Sequence, residues 1–457
     1  MQTESSAIAV LTDYYHDRGP ITLNRSAIDR LQLLLLDGLG CMLGGYQEEL
    51  LTNQQPSKSE ANSRGWFAGG PWKEWGTPFA NGVALRYLDF LDVYTAKDTC
   101  HPSENIPVAL HLAEKTGASG VDFLEALALG YEVQCALADA VDLRAAGLHH
   151  VTAAAVSIPM MAARLGLIDE PDLPAALALA VSLGPVLRSV SQGEVSKAKA
   201  FAFPMAARGA MESARLAARG VTGPQRALDD LLGLAGADGA SLALALREPF
   251  PANHRLQRVQ LKTFPVQFAL QSVAECGAAL HASLAPRRAD IHGIHVVAPR
   301  QVLSNTTDTA KRQPQSREAA DHSLYSCLAM ALILGRLDVS DFRAEAWRSP
   351  EVQCLADAIT TEELAPEAGK AASGVALSAA VTLTFKNGDP TEFKVDHPLG
   401  SYDRPLTESQ LQEKFLTLGS AGLGRARCLR IAEATATLAE RPSMVEFSEL
   451  WRPPSVP

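Results

Sequence analysis

Past the middle of this chain of 457 residues the spacing of apolar residues changes character, and that change limits the architectures open to it. From residue 24 to about residue 262 apolar side chains recur at helical intervals. Abundant alanine in the same stretch favours helices and lets them approach closely. Strand-like segments enter only afterwards: ADIHGIHVVA at 289–298, then VTLTF and TEFKV between 381 and 395. β-branched residues suit a pleated strand, and the Asn387-Gly388 pair between the last two is a strong hairpin signal. Helices are expected among them at about 317–334 and 351–358, and helical spacing returns at 407–438. These textures predict a mainly α protein: a large helical bundle over 1–264, a smaller α+β lid over 265–398, and C-terminal helices over 399–457 packing back on the bundle.

Local signals fill in the first half. A helix is expected over 24–45, with Asn24 or Ser26 as N-cap. Others fall at 104–115, 152–165, 174–186 and 204–219, with Pro159 bending its helix. Ser119 and Asp122 have capping-box spacing before a further helix. The stretch 56–78 is rich in Gly, Ser, Pro and Trp and reads as an irregular connection.

Charge excludes one broad class. Acids number 51 and Lys plus Arg 41, so the chain carries −10 and lacks the basic balance that nucleic-acid binding needs. A small anion remains a possible partner wherever a few bases converge. The seven cysteines form no C-x-x-C pair, which disfavours a disulfide framework, a zinc site or an iron–sulfur cluster, and points to reducing, cytoplasmic surroundings. The N-terminus has no basic region followed by a long apolar core, so a secretory signal is not expected. The most apolar run, at 31–43, is short and interrupted by Asp37, Gly38 and Gly40, so no membrane span is expected.

The chemistry gathers where the helical texture breaks, at NGVALRYLDFLDVYTAKDTCHPSEN, residues 81–105. Asp89 and Asp92 lie three apart and would share a helical face, as acid/base groups, as metal ligands or as a solvated turn. His101 precedes Pro102, which fixes it in a loop, and imidazole suits proton transfer near neutrality. His149 and His150 adjoin, so one of them is expected to point into a given site. Lys199 in GEVSKAKAFAF and Lys262 in LKTFPVQF stand in apolar surroundings, as pocket cations or snorkelling side chains. His111, His281, His292 and His295 read as structural, and no phosphate loop or nucleophile elbow is present.

Taken together, these segments resemble the MmgE/PrpD family, which includes 2-methylcitrate dehydratase and cis-aconitate decarboxylase. The resemblance rests on NG-x4-YLDF-x-D followed by HPSEN, on GYEVQ at 130–134, HVT at 150–152, GEVS-x-x-K ending at Lys199, LKTFPVQF from 261, and ADHSL at 320–324. It implies a helical domain with an α+β lid, a homodimer, no cofactor and no metal. It places catalytic roles on Asp89, Asp92, His101, His150, Lys199 and Lys262, and substrate contacts on Ser103, Ser196, Gln267 and Tyr325. Two positions depart from the family pattern. Val93 replaces a frequent Thr, and Ser326 stands where a tyrosine is usual, with Tyr325 one residue early.

The activity so implied is cofactor-independent elimination of water from a small polycarboxylate such as 2-methylcitrate, the lysines holding carboxylates and the histidines moving protons. Decarboxylation or isomerisation of an unsaturated tricarboxylate such as cis-aconitate is the alternative. A magnesium-dependent isoprenoid-type enzyme using Asp89 and Asp92, or a silent binding protein, are further readings.

Overall fold

The computed structural model of the chain describes residues 6–19, 23–52, 76–193, 195–247, 254–364 and 377–451. The connection expected at 56–78 therefore lies outside the described residues up to position 75, as does Glu194 of the GEVS segment.

The first half is helical. Its main helices are α1 (Ala7–Arg18), α2 (Arg25–Gly45), α3 (Thr77–Tyr87), α4 (Ile106–Thr116), α5 (Gly120–Ala140), α6 (Ala154–Arg164), α7 (Leu173–Leu183) and α8 (Ala198–Ala217). Asn24 caps α2 by accepting from the Ala27 N–H at 2.9 Å. Ser119 and Asp122 form the expected capping box at the start of α5. Pro159 lies inside α6, and Gly117 ends α4 in the left-handed conformation.

Two glycines set how closely α3 is held. A Cβ on Gly45 of α2 would lie 1.9 Å from the Ala84 carbonyl oxygen, and one on Gly82 would lie 2.9 Å from Pro204 Cγ of α8. Only a bare backbone lets α3 sit between these two helices. The end of α3 is thereby brought against the start of α8.

The second half opens with α9 (Gln271–Leu284) and adds α10 (Leu324–Leu334) and a four-stranded sheet. Its strands are β3 (Ile291–Ala298), β4 (Ile359–Glu363), β5 (Ala379–Phe385) and β6 (Pro390–Val395), in the order β4-β3-β5-β6. An earlier two-residue ribbon pairs β1 (Tyr94–Thr95) with β2 (Thr99–Cys100). β3 runs parallel to β4 and antiparallel to β5, and β5 pairs antiparallel with β6. The β5–β6 turn falls at Asn387-Gly388, where Gly388 has φ +87°. β5 alternates buried and half-buried residues along its length, as a one-faced strand should.

Two helices return at the end, α11 (Glu408–Leu423) and α12 (Arg425–Ala436). Two hydrophobic cores result. One draws on α1–α8, α11 and α12; the other on α9, α10 and the sheet. The protein is thus mainly α with a small α+β unit. Its cysteines are unpaired. No helix among the described residues is long and apolar enough to cross a membrane.

Two departures from the expected helix boundaries matter for the site. The helix expected from 204 begins at Ala198, with Pro204 in its interior, which puts Lys199 in its first turn. The helix expected over 317–334 is broken: Arg317–Ala320 is one short helix, and α10 starts afresh at Leu324. Ser323 caps α10 by accepting from the Ser326 N–H, so Asp321 and His322 occupy the break.

Candidate active site

The turn after α3 creates the site. Asp89 adopts φ +50°, a strained left-handed conformation that Asp tolerates better than most residues. Asp89 and Asp92 therefore do not share a helical face. Asp89 turns its carboxylate toward two lysines, with Oδ1 3.0 Å from Lys199 Nζ and 3.2 Å from Lys262 Nζ. Its own carbonyl accepts from Lys262 Nζ at 2.6 Å. Asp92 faces the opposite way. Its carboxylate accepts from the Ser103 N–H at 3.1 Å, the Ser103 hydroxyl at 2.6 Å and the Tyr131 hydroxyl at 2.9 Å.

The β1–β2 ribbon then carries the chain to His101. The His101 Nδ1 lies 2.6 Å from the Asp92 carbonyl oxygen. A carbonyl only accepts, so Nδ1 carries the hydrogen and Nε2 keeps a free lone pair. Asp92 thus fixes His101 through its backbone while its carboxylate fixes Ser103. The rings of His101 and His150 meet edge to face at 5.0 Å, and His149 lies 4.1 Å from His150. Both adjacent histidines line the cavity, against the expectation that one would. His149 is extended and His150 opens a 3-10 turn, so helical geometry does not separate them.

The second half contributes the Asp321-His322 break. His322 Nδ1 bonds the Asp321 carboxylate, and Lys199 Nζ donates to His322 Nε2 at 2.9 Å. Each lysine so uses two N–H donors on the protein, Lys199 on Asp89 and His322, Lys262 on the carboxylate and carbonyl of Asp89. An ammonium has three, which leaves one each for a ligand.

These groups surround a cavity of about 350 Å³. Among the described residues, Lys97, Arg144, Arg188, Lys199 and Lys262 line it with one carboxylate, Asp89, and Arg144 is paired with Asp98 at 2.7 Å. Thr95, Ala96 and Thr99 of the ribbon form part of one wall, and Gln267, Phe268, Ala269 and Leu377 form a neutral one. Gln267 Oε1 is buried there without a hydrogen-bond partner.

Burial and charge set the protonation states. His101, His149 and His150 are held well below the usual histidine value, first by burial and then by neighbouring cations and histidines, so all three are neutral near pH 7. Burial lowers Lys262 to about 8, with Asp89 opposing the fall. Burial alone would raise Asp89, but Lys199, Lys262 and His322 outweigh it and hold the carboxyl well below its ordinary value. Burial pushes Asp92 up to about 6, against its Ser103 hydrogen bonds.

Of the residues named from sequence, the cavity brings together Asp89, His101, His150, Lys199, Lys262 and Gln267. Asp92 and Ser103 lie behind His101 and support it. Ser196 is exposed, and its carbonyl accepts from the Lys199 N–H. Tyr325 is buried in the second core, its hydroxyl 3.4 Å from the Thr307 carbonyl and its ring under Arg312. Val93 packs in that core too, and its backbone pairs with Gln260. His322 was not singled out. The signal for it was present in ADHSL, but a histidine inside an assumed helix draws no attention.

Among the described residues a metal reading has one local set, since Asp89, Asp321 and His322 offer ligand atoms within 4.8 Å of one another. Two ammonium groups already rest on Asp89, and their charge opposes a divalent ion there. The pairing of Asp89 with Asp92 as metal ligands does not fit, because Ser103 and Tyr131 occupy the Asp92 oxygens.

Comparison with known proteins matches residues 9–239 to the MmgE/PrpD N-terminal domain and residues 264–439 to the MmgE/PrpD C-terminal domain. The cis-aconitate decarboxylase of Mus musculus is 26% identical over 467 aligned residues, covering 95% of this chain and 91% of that protein. The mitochondrial 2-methylcitrate dehydratase of Yarrowia lipolytica is 25% identical, covering 86% and 80%. The 2-methylcitrate dehydratase of Escherichia coli is 26% identical, covering 70% of each.

Proposed function

The chain belongs to the MmgE/PrpD family, and from that premise we propose that it is a cofactor-independent lyase removing water from a small polycarboxylate such as 2-methylcitrate. One observation carries the reading: a cavity whose described residues include five cationic side chains and one carboxylate, with the free lone pair of a neutral His101 beside them. Such a wall favours a multiply charged small anion and stabilises the negative charge that grows on a carboxylate as the neighbouring C–H bond breaks.

In the proposed cycle, the free N–H of Lys199 receives a substrate carboxylate, and that of Lys262 points at the leaving hydroxyl. His101 Nε2 takes the proton from the carbon beside a carboxylate. The C–H electrons form the double bond, and the C–O bond breaks. The departing hydroxyl takes a proton from Lys262, whose value of about 8 suits an acid near neutrality, and leaves as water. His150, in edge contact with His101, is the second proton carrier. Asp89 holds both ammonium groups in place throughout. The same reading takes the protein as a cytoplasmic homodimer with no nucleic-acid partner, in keeping with its charge of −10.

The neutral wall favours a second reading. Phe268, Ala269 and Leu377 offer a poorly hydrating face, on which a carboxylate is more readily lost as carbon dioxide. Identity does not choose, since the decarboxylase and dehydratase relatives stand at 26% and 25%.

The test offers 2-methylcitrate, citrate and cis-aconitate to the purified protein, following unsaturated-acid absorbance and carbon dioxide, with EDTA as control. Dehydration that resists EDTA and falls ~10²-fold or more in His101→Asn and Lys199→Ala supports the reading. Near-parental turnover in both variants, or no turnover of any substrate by the folded protein, sinks it.

A further inference from the structure

Lys414 lies on α11 and does not line the cavity. Its Nζ donates to the carbonyl oxygens of Phe90, at 2.9 Å, and Lys262, at 3.0 Å. It also meets Asp37 Oδ1 of α2 at 2.7 Å. These three partners match the three donors of an ammonium. The Phe90 ring lies 3.9 Å from the same nitrogen, a cation–π contact. Asp37 is fully buried, and Lys414 is its counter-ion.

The two carbonyls are the informative part. Phe90 directly follows the strained Asp89, and Lys262 is the residue whose ammonium meets Asp89. One side chain from the C-terminal helix therefore joins the backbones of both halves of the ion pair, from the side away from the ligand. The strained φ at Asp89 needs such an outside restraint, because a left-handed Asp persists only where its surroundings fix it.

We propose that Lys414 is a positioning residue: by tethering the carbonyls of Phe90 and Lys262, it sets the contact between Asp89 and Lys262 on which the reaction depends. This rests on the function proposed above for that pair. On the cavity side Lys262 faces Asp89, Lys199, Asp321 and His101; behind it stand Lys414 and Asp37. When the tether is cut, the two segments relax and the contact between Asp89 and Lys262 lengthens. Lys262 stays buried but loses part of the Asp89 attraction that opposes the fall, so its proton affinity drops further.

Lys414→Met alone strands a buried carboxylate, so the variant to use is Asp37→Asn with Lys414→Met, which removes both charges at nearly constant volume. Two readouts apply to the full-length protein. Trace acetic anhydride labelling across pH, read by mass spectrometry, reports the proton affinity of Lys262 without any substrate. Steady-state kinetics on the turned-over polycarboxylate report kcat and KM. The expected result is a downward shift of at least one pH unit at Lys262, kcat down by tenfold or more, KM within threefold, and thermal unfolding within a few degrees of the parent. A Lys262 titration identical to the parent's overturns the proposal, whatever kcat does. So does a raised KM with unchanged kcat. A shifted titration in a protein that turns over none of the polycarboxylates upholds the tether and fails the proposed activity instead.

Discussion

Asp89→Asn exchanges one oxygen for a nitrogen and removes the anion between two ammonium groups. Lys262 lies 3.2 Å from that oxygen, with 1% of its side chain exposed. At an effective dielectric of about 20 the attraction is about 5 kcal/mol, or roughly four pH units of lysine titration. Water and small shifts recover part of it, so a fall of about two units or more below the parental value of about 8 is expected. The parental Lys262 is mostly charged at pH 7; in the variant it is mostly neutral. Anhydride labelling against pH checks this directly. Kinetics check the consequence: kcat/KM should fall at pH 7 and partly recover toward acid, where Lys262 regains its proton. If Lys262 in the variant titrates at or above its parental position, Asp89 is not what keeps it charged, and the electrostatic account of the site is wrong.

Asp92→Asn should behave in the opposite manner. The folded value, about 6, lies above the ordinary 3.8, so the folded state binds this proton more tightly and loses stability as pH rises between them, by about 3 kcal/mol. Asparagine removes that loss and still accepts from Ser103, so the variant should melt at pH 7 within a few degrees of the parent, or above it, and keep kcat within tenfold; a drop of more than 10 °C or a thousandfold loss contradicts this. The pH profile of kcat/KM should be bell-shaped. In the proposed cycle His101 acts as base and must be unprotonated, and its depressed value moves the acid limb below the usual histidine range. Lys262 must be protonated, so activity falls above about 8. Lys262→Arg stays charged and should move or abolish that alkaline limb; a limb left in place assigns it to another group.

Much of this was legible in the sequence because it depends on local pattern. Helical periodicity gave way to β-branched strands and an Asn-Gly turn, and the sheet followed. Asp89, His101, His150, Lys199 and Lys262 stood out because their residue types sit oddly in apolar or Pro-bounded surroundings. What escaped depends on backbone direction. Asp89 and Asp92 have helical spacing, but the left-handed turn at Asp89 sends their carboxylates apart. His322 was hidden because the apolar rows on either side of it look continuous, while the Ser323 cap restarts the helix between them. Lys199 was placed before a helix because Pro204 reads as a beginning, yet the chain carries that proline in a helix interior. Tyr325 and Val93 are hydrophobic-core positions first, and residue type alone does not tell a core tyrosine from a ligand contact. Lys414 carries no motif; three acceptors distant in sequence define it.

The uneven placement of charge has a consequence for capture. The protein as a whole is acidic, so a distant anion meets repulsion, while Lys97 and Arg188 present positive charge at the cavity, beside an Arg144 paired with Asp98. At physiological salt the screening length is about 8 Å, so the far acidic surface fades from view and only these cations remain within reach of a small ion near the opening. The association rate of a small anion should therefore fall steeply with ionic strength.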